Sequence, residues 1–263
     1  MSTEPMTASE FVELLEDWNI PYRRIKETWY NHNRNTKGAW GPVNGVMLHH
    51  TGSDNQTDMP DILWNGYDDL PGPICHAGID VNGVVLLSGW GRCNHAGLGD
   101  SKILAKVTSE KYTGNLKPTV ADTDGNAHFY GFEIMYSGEH VMSVDQQKTA
   151  TRLSAAICTH QGWTEKSVIG HGEWQPGKWD PGYKKGTIMD MNAARGVVAF
   201  EIEKGPYVPT PPVSETYKVV AGDTPWAIAA RFLGNGNRWI ELVKANPQIA
   251  ILVPGDVLKL PEK

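Results

Sequence analysis

Cysteine is scarce: the chain has three, Cys75, Cys93 and Cys158. The number is odd and no two form a CxxC pair. That argues against a disulfide framework and for synthesis in a reducing compartment. Positive charge is also short. Lys and Arg total 24 against 30 Asp and Glu, giving a formal net charge of −6. A nucleic-acid partner needs a basic face that releases counterions, so that class is set aside. The same balance removes simple electrostatic adhesion to an anionic surface, and surface affinity has to come from specific contacts. Long apolar runs are missing as well. No window offers the ~18 apolar residues of a membrane helix. The opening MSTEPMTASEFVELLEDW is acidic and has neither the basic nor the apolar region of a secretory signal. The expectation is a protein made in the cytoplasm with no membrane partner.

What is present suits a globular protein. The 263 residues are 40% hydrophobic, and the length predicts one large domain with a small companion. Phe11, Leu14, Leu15 and Trp18 recur at steps of three and four, predicting a helix over 7–18 capped by Thr7 or Ser9. VNGVMLHHTG (43–52) reads as a buried strand with a polar end. GIDVNGVVLLSGW contains a hairpin, with Asn82-Gly83 as its turn. FYGFEIMYSG (129–138) is another strand. A helix over 145–161 stops at Gly162, KSVIGHGEW is a short strand running into a loop, and 189–203 suits a last helix. The stretch 100–126, with Gly114, Pro118, Asp122, Asp124 and Gly125, reads as a loop or excursion. Strands alternating with helices predict an α/β domain with a mixed central sheet flanked by helices.

Four prolines in GPYVPTPPVSE mark residues 205–215 as a semi-rigid spacer. It separates a domain over 1–204, with an N-terminal helical extension over 1–40, from a second over 216–263. The second reads strand, helix, helix, strand. Asp223-Thr224-Pro225 caps its first helix, with proline at the first helical position. Trp226, Ala229, Ala230 and Leu233 form one apolar stripe. Trp239, Leu242 and Val243 form the other, which assigns both tryptophans to the core.

Polar clusters stand at strand ends: His49-His50-Thr51, Glu133, and GHGEWQPGKWD with His171, Lys178 and Asp180. Zinc takes imidazole nitrogen and carboxylate oxygen, and a catalytic site uses three protein ligands. His49, His171 and Asp180 would supply such a set. Adjacent strand residues face opposite ways, so only one of His49 and His50 can reach it. The spacing also admits a plainer account, in which His49 is a core histidine and Asp180 caps a turn before Pro181.

VMLHHTG, CHAGIDVNGVV, NHAG, GFEI and GHGEWQPGKWDPGY, in that order, resemble the N-acetylmuramoyl-L-alanine amidase family, which includes phage lysins and animal peptidoglycan recognition proteins. The resemblance covers about residues 40 to 195. It implies a Zn2+ held by His49, His171 and Asp180, with Glu133 as general base and Lys178 as the basic residue that stabilises the oxyanion. Many phage members have Tyr where this chain has Cys75, so help from a tyrosine hydroxyl is not expected. Cys75 itself reads as a small strand residue. The tail, through YKVVAGDTPWAIAARF, KANP and PGDVLKLP, resembles a LysM module. That implies binding of N-acetylglucosamine-containing glycan between two loops, Gly222, Asp223, Thr224, Pro225 and Asn246, Pro247, Gln248, Ile249.

The resemblance thus implies an enzyme that cuts peptidoglycan between N-acetylmuramic acid and L-alanine, and a monomer is expected. With no secretory signal, it reads as a phage endolysin that leaves the host cytoplasm through a holin lesion. A host autolysin and a non-catalytic recognition protein are the alternatives. A glycosidase would need two facing carboxylates and would leave His49, His171 and Lys178 unexplained.

Overall fold

The computed structural model describes residues 3–206, 213–247 and 252–261. It separates into two compact units, Met1–Tyr207 and Val208–Lys263.

In the first unit, helix α1 (Ala8–Asp17) leads to the short strand β1 (Tyr22–Arg24) and to β2 (Gly45–His50). Helix α2 (Met59–Asn65) and the hairpin strands β3 (Ala77–Ile79) and β4 (Val85–Leu87) follow. Two-residue strands β5 (Leu98–Gly99) and β6 (Thr123–Asp124) bracket helix α3 (Ser101–Ser109). Then come β7 (Phe129–Ile134), α4 (Val144–Gln161), β8 (Val168–Gly170) and the single turn α5 (His171–Trp174). A small ribbon, β9 (Gly182–Lys184) and β10 (Thr187–Ile188), precedes α6 (Met191–Lys204). The six-stranded sheet runs β1-β4-β3-β7-β2-β8 and is mixed: only β3 and β4 pair antiparallel within it.

Both faces of this sheet are covered, so its central strands are apolar on both sides. Val46 and Leu48 of β2, with Tyr130, Phe132 and Ile134 of β7, meet α1, α4 and α6 in the main core. Met47, Phe129 and Ile169 face the other way, against α3 and Trp174 of α5. Strand alternation then decides the direction of the polar ends. His49 and Glu133 are register partners, and both fall on the second face, the one that carries α5.

The helix ends follow local chemistry. Thr7 caps α1 in a reciprocal box with Glu10, and Ser143 does the same for α4 with Gln146. Gly162 closes α4 at φ 71°, a left-handed position where glycine has no steric penalty. The N-terminal extension is part of the core. Phe11 stacks on Trp90 with ring centroids 4.3 Å apart, and the Met6 amide donates to the Tyr130 hydroxyl at 2.8 Å.

The stretch 100–126 differs from its reading as a loop. Asp100 caps helix α3, which buries Ile103 and Val107 four residues apart. Polar Lys102, Lys106, Thr108 and Ser109 around them, and the glycine and proline downstream, obscure the period in sequence. The remainder is tied down: Asp100 Oδ2 accepts from the Thr119 amide at 2.7 Å, and Glu173 Oε1 accepts from the Leu116 amide at 2.7 Å.

The second unit pairs β11 (Val213–Lys218) antiparallel with β12 (Val257–Pro261), with α7 (Pro225–Leu233) and α8 (Trp239–Ala245) between them in sequence. Its core is Val219, Ile228, Leu242, Leu258 and Leu260. Among the described residues, strand pairing runs from Val213, so 213–215 of the expected spacer belong to β11. Residues 207–212 of that spacer lie outside the described residues.

Candidate metal centre and groove

Three elements converge on one point. His49 is the penultimate residue of β2, His171 opens α5, and Asp180 lies in the segment between α5 and β9. His49 Nδ1 is 3.1 Å from His171 Nδ1, and Asp180 Oδ2 is 3.1 Å from each of them. These three form the cluster of potential metal-ligand residues found among the described residues. A tetrahedral zinc with bonds of about 2.0–2.1 Å holds its ligand atoms about 3.3 Å apart, so this triangle is close to the size required. The donor chemistry fits as well. His49 and His171 are buried, and each spends its far nitrogen elsewhere: His49 Nε2 on His95 and His171 Nε2 on the Gln175 side-chain oxygen, both at 3.1 Å. A neutral histidine that donates through Nε2 keeps a bare lone pair on Nδ1. Two such lone pairs and a carboxylate oxygen crowded together call for a cation. Burial, opposed in part by the contact with Asp180, lowers the His49 pKa to about 4, which keeps the ring uncharged at neutral pH.

The site opens into a groove of about 580 Å3, lined in part by Leu70, Ile74, Asn94, Glu133, Lys178 and Trp179. Glu133 therefore reaches the same groove as the triad. Its Oε2 is buried without a hydrogen-bond partner. Burial first, and the charge of Asp180 second, push its pKa well above the usual carboxylate range, with Lys178 opposing. A carboxyl raised in this way holds a proton more readily than an ordinary one, the direction that general acid–base work requires. Lys178 is exposed at the groove edge. His50 does face away from the triad. Its Nδ1 accepts from the Gly182 amide at 3.1 Å and its ring packs edge-on to Trp179, steadying the segment that carries Asp180. Cys75 is buried among Met59, Leu63, Ile74, Leu86 and Met135, and burial raises its thiol pKa well above the ordinary value. No residue of 100–126 lines the groove.

Two features escaped the sequence reading. His95 lies in NHAG, 46 residues from His49, and no spacing rule connects the two. The other is a buried ion pair behind α5. Arg195 of α6 donates to both oxygens of Glu173, at 2.7 and 3.1 Å, and also to the carbonyls of Val168 and Gly114. Glu173 stands two residues from His171, so this network anchors the turn that presents His171.

In the second unit, Gly222 sits at φ 91°, and Asp223 Oδ2 accepts from the Tyr217 hydroxyl and the Val220 amide. Thr224 caps α7, with Pro225 at its first turn. Asn246 is buried: it donates to the Leu242 and Lys259 carbonyls and accepts from the Lys259 amide. Its side chain is thereby spent on the fold. Pro247 is exposed, and Gln248 and Ile249 lie outside the described residues. Trp226 and Trp239 are 57% and 42% exposed, which corrects their assignment to the core. The buried faces of the two helices are carried by Ile228, Ala229 and Leu233 and by Leu242 and Ala245. Trp226 instead lies over Gly236, where a methyl group would overlap the indole.

The comparisons with known proteins agree with this division of the chain. A family model described as N-acetylmuramoyl-L-alanine amidase matches residues 39–183, over half of the chain, and a LysM domain model matches residues 217–261. No curated protein sequence matches. Similar solved structures include the endolysin N-acetylmuramoyl-L-alanine amidase LysCS from Clostridium intestinale URNW, at 17% identity over 62% of this chain and 88% of that one, with a TM-score of 0.41. An AmpD derivative is 16% identical over 69% and 97%, with a TM-score of 0.46. The Staphylococcus aureus hydrolase AmiA, in complex with its ligand, is 13% identical over 76% and 93%, with a TM-score of 0.43.

Proposed function

The chain belongs to the N-acetylmuramoyl-L-alanine amidase family, and from that premise we propose that it is a zinc enzyme hydrolysing the amide between N-acetylmuramic acid and L-alanine in peptidoglycan. The observation that carries the reading is the triangle of His49 Nδ1, His171 Nδ1 and Asp180 Oδ2 at the head of a groove. A zinc ion held by these three would supply Lewis-acid chemistry, polarising the scissile carbonyl and making water nucleophilic near neutral pH.

The chain's own residues divide the rest of the work. Glu133, with its partnerless oxygen at the groove, accepts a proton from the attacking water and returns it to the leaving amine. The water oxygen joins the carbonyl carbon, the carbon–nitrogen bond breaks, and the amine departs neutral as the stem-peptide N-terminus. Lys178, at the groove edge, balances the negative charge that develops on the carbonyl oxygen. Leu70, Ile74 and Trp179 give the groove apolar walls that limit water. The LysM domain holds the enzyme to glycan through the loop of Gly222, Asp223, Thr224 and Pro225 together with the segment 246–249.

His171→Ala is the direct test. It should lose both bound zinc and wall hydrolysis. The variant keeping stoichiometric zinc with unchanged X-ray absorption would refute the ligand assignment. Mass spectrometry of products should show free L-Ala N-termini and intact glycan; new reducing ends would mean another bond is cut.

The pairing of amidase and wall-binding domains supports a lytic role, and the proposed setting is release from a phage-infected host. Expression inside a bacterium should lyse it only when a holin is supplied. Lysis without one, or export by the host's own machinery, would favour an autolysin.

A further inference from the structure

A histidine ligates a metal only through a ring nitrogen that carries no hydrogen, and neutral imidazole has one such nitrogen of two. For His49 the choice is made by a chain of contacts that starts at a backbone carbonyl. The Phe129 oxygen lies 3.1 Å from His95 Nε2. A carbonyl only accepts, so Nε2 carries a hydrogen. His95 is buried, and no carboxylate is among its hydrogen-bond partners. A charged ring there would be uncompensated, so the ring is neutral and its Nδ1 bears a lone pair. That Nδ1 is 3.1 Å from His49 Nε2, which must donate to it. His49 Nδ1 is left bare, and it is this atom that faces His171 Nδ1 and Asp180 Oδ2.

The ring of His95 is seated with matching care. A methyl group at Gly131 of β7 would stand 2.3 Å from His95 Cγ and Nδ1, so the imidazole occupies the space of the missing side chain. Asn126 Oδ1 accepts from the amides of His95 and Ala96 at 2.9 and 2.8 Å, holding the backbone beneath the ring.

We propose that His95 is a positioning residue that fixes the tautomer of His49, relaying the preference of the Phe129 carbonyl to the metal-facing nitrogen, with Gly131 as its seat. The proposal rests on the reading of His49 as a metal ligand. Ligand histidines are usually fixed by a carboxylate, carbonyl or water directly, and losing such a partner typically costs 10–100-fold in metal affinity. Here a second imidazole is interposed between carbonyl and ligand, which carries the same polarity one ring further.

Two variants separate the relay from simple packing. His95→Phe fills the ring volume and offers no acceptor. His95→Asn places an amide oxygen near the position of Nδ1. Long-range proton–nitrogen NMR on the metal-free full chain reads the His49 tautomer, and chelator competition reads zinc affinity. The wild type should show hydrogen on Nε2 of His49. His95→Phe should mix or invert the tautomer and weaken zinc binding by roughly 10–100-fold, and His95→Asn should recover most of both. Wild-type His49 protonated on Nδ1 overturns the proposal without any variant, which covers the case of a variant that does not fold. Unchanged tautomer and affinity in folded His95→Phe overturn it as well. Failure of the ligand reading looks different: His49→Ala would keep its zinc, while the tautomer measured in the metal-free wild type would still stand.

Discussion

Replacing Arg195 with Met should be among the most damaging single changes in the first unit, although Arg195 does not line the groove. The arginine and Glu173 are 3% and 1% exposed, and the guanidinium fork meets both carboxylate oxygens. Met is similar in length and fills much of the volume, so the loss is electrostatic and hydrogen-bonding in character. Glu173 would remain buried as a carboxylate with only backbone donors. The carbonyls of Val168 and Gly114 would each lose a donor. Removing one partner of a buried pair costs about 3–5 kcal/mol, because the survivor keeps its desolvation penalty. For a folding unit of this size that lowers the melting temperature by roughly 6–20 °C. Urea unfolding followed by near-ultraviolet circular dichroism measures it. The companion Arg195→Met/Glu173→Gln should be milder, since the amide oxygen can still accept from the Leu116 amide and no bare charge remains. Most of the loss should return if the survivor's charge is the cause. An Arg195→Met variant within about 1 kcal/mol of wild type would refute the reasoning, and would mean that water reaches the pair.

Glu133→Gln and Lys178→Ala should both keep their zinc and lose turnover, the first by roughly 10²–10⁴-fold; normal turnover with intact zinc in either removes its assigned role. Burial raises the Asp100 pKa, but the amides of Thr119 and Lys102 outweigh it and hold the carboxyl at about 2. Its folded pKa is depressed, so its contribution to stability is full above the ordinary value near 3.8 and is lost as pH falls through about 2. Asp100→Asn should therefore melt below wild type at pH 5, with the gap closing toward pH 2 in thermal melts at stepped pH. A chain ending near residue 204 should hydrolyse small soluble muropeptides as well as the full chain and act more weakly on intact walls, by up to roughly 10²–10⁴-fold if tethering is effective. Equal activity on walls, measured by turbidity, would remove the targeting role of the LysM domain.

The cluster of His49, His171 and Asp180 was legible in sequence because its members stand in polar motifs at strand ends, although their spacing alone also admitted a core histidine and a turn cap. His49 stands near the end of an apolar strand, and His171 and Asp180 share one short polar motif. Strand alternation also separated His49 from His50 in advance, and the fold turns them as that rule requires. What remained hidden depends on pairs distant in sequence. His95 acquires its role only when β7 brings Gly131 beneath it. Arg195 and Glu173 look like ordinary helical charges until α6 closes over α5. Helix α3 was hidden for a local reason: its apolar face is narrow, and a buried side of two residues barely registers against a polar background. The tryptophans of the second unit misled in the opposite direction. Large apolar side chains at helical spacing suggest a core, yet smaller neighbours bury more completely and leave the indoles outside.

The segment matched by the amidase family model, 39–183, is smaller than the body that folds. Upstream of it, Met6, Phe11, Leu14, Leu15 and Trp18 complete the core around Trp90, Tyr130 and Ala156. Downstream, Arg195 neutralises Glu173 inside it. A recombination joint placed at either edge of the matched segment would therefore cut through a hydrophobic interior or strand a buried charge. Exchange of this catalytic module between proteins would have to carry helix α1 and helix α6 along with the matched segment. The division between the two compact units falls at 207–208, within the proline-rich stretch, so a joint there would leave both of those contacts on one side.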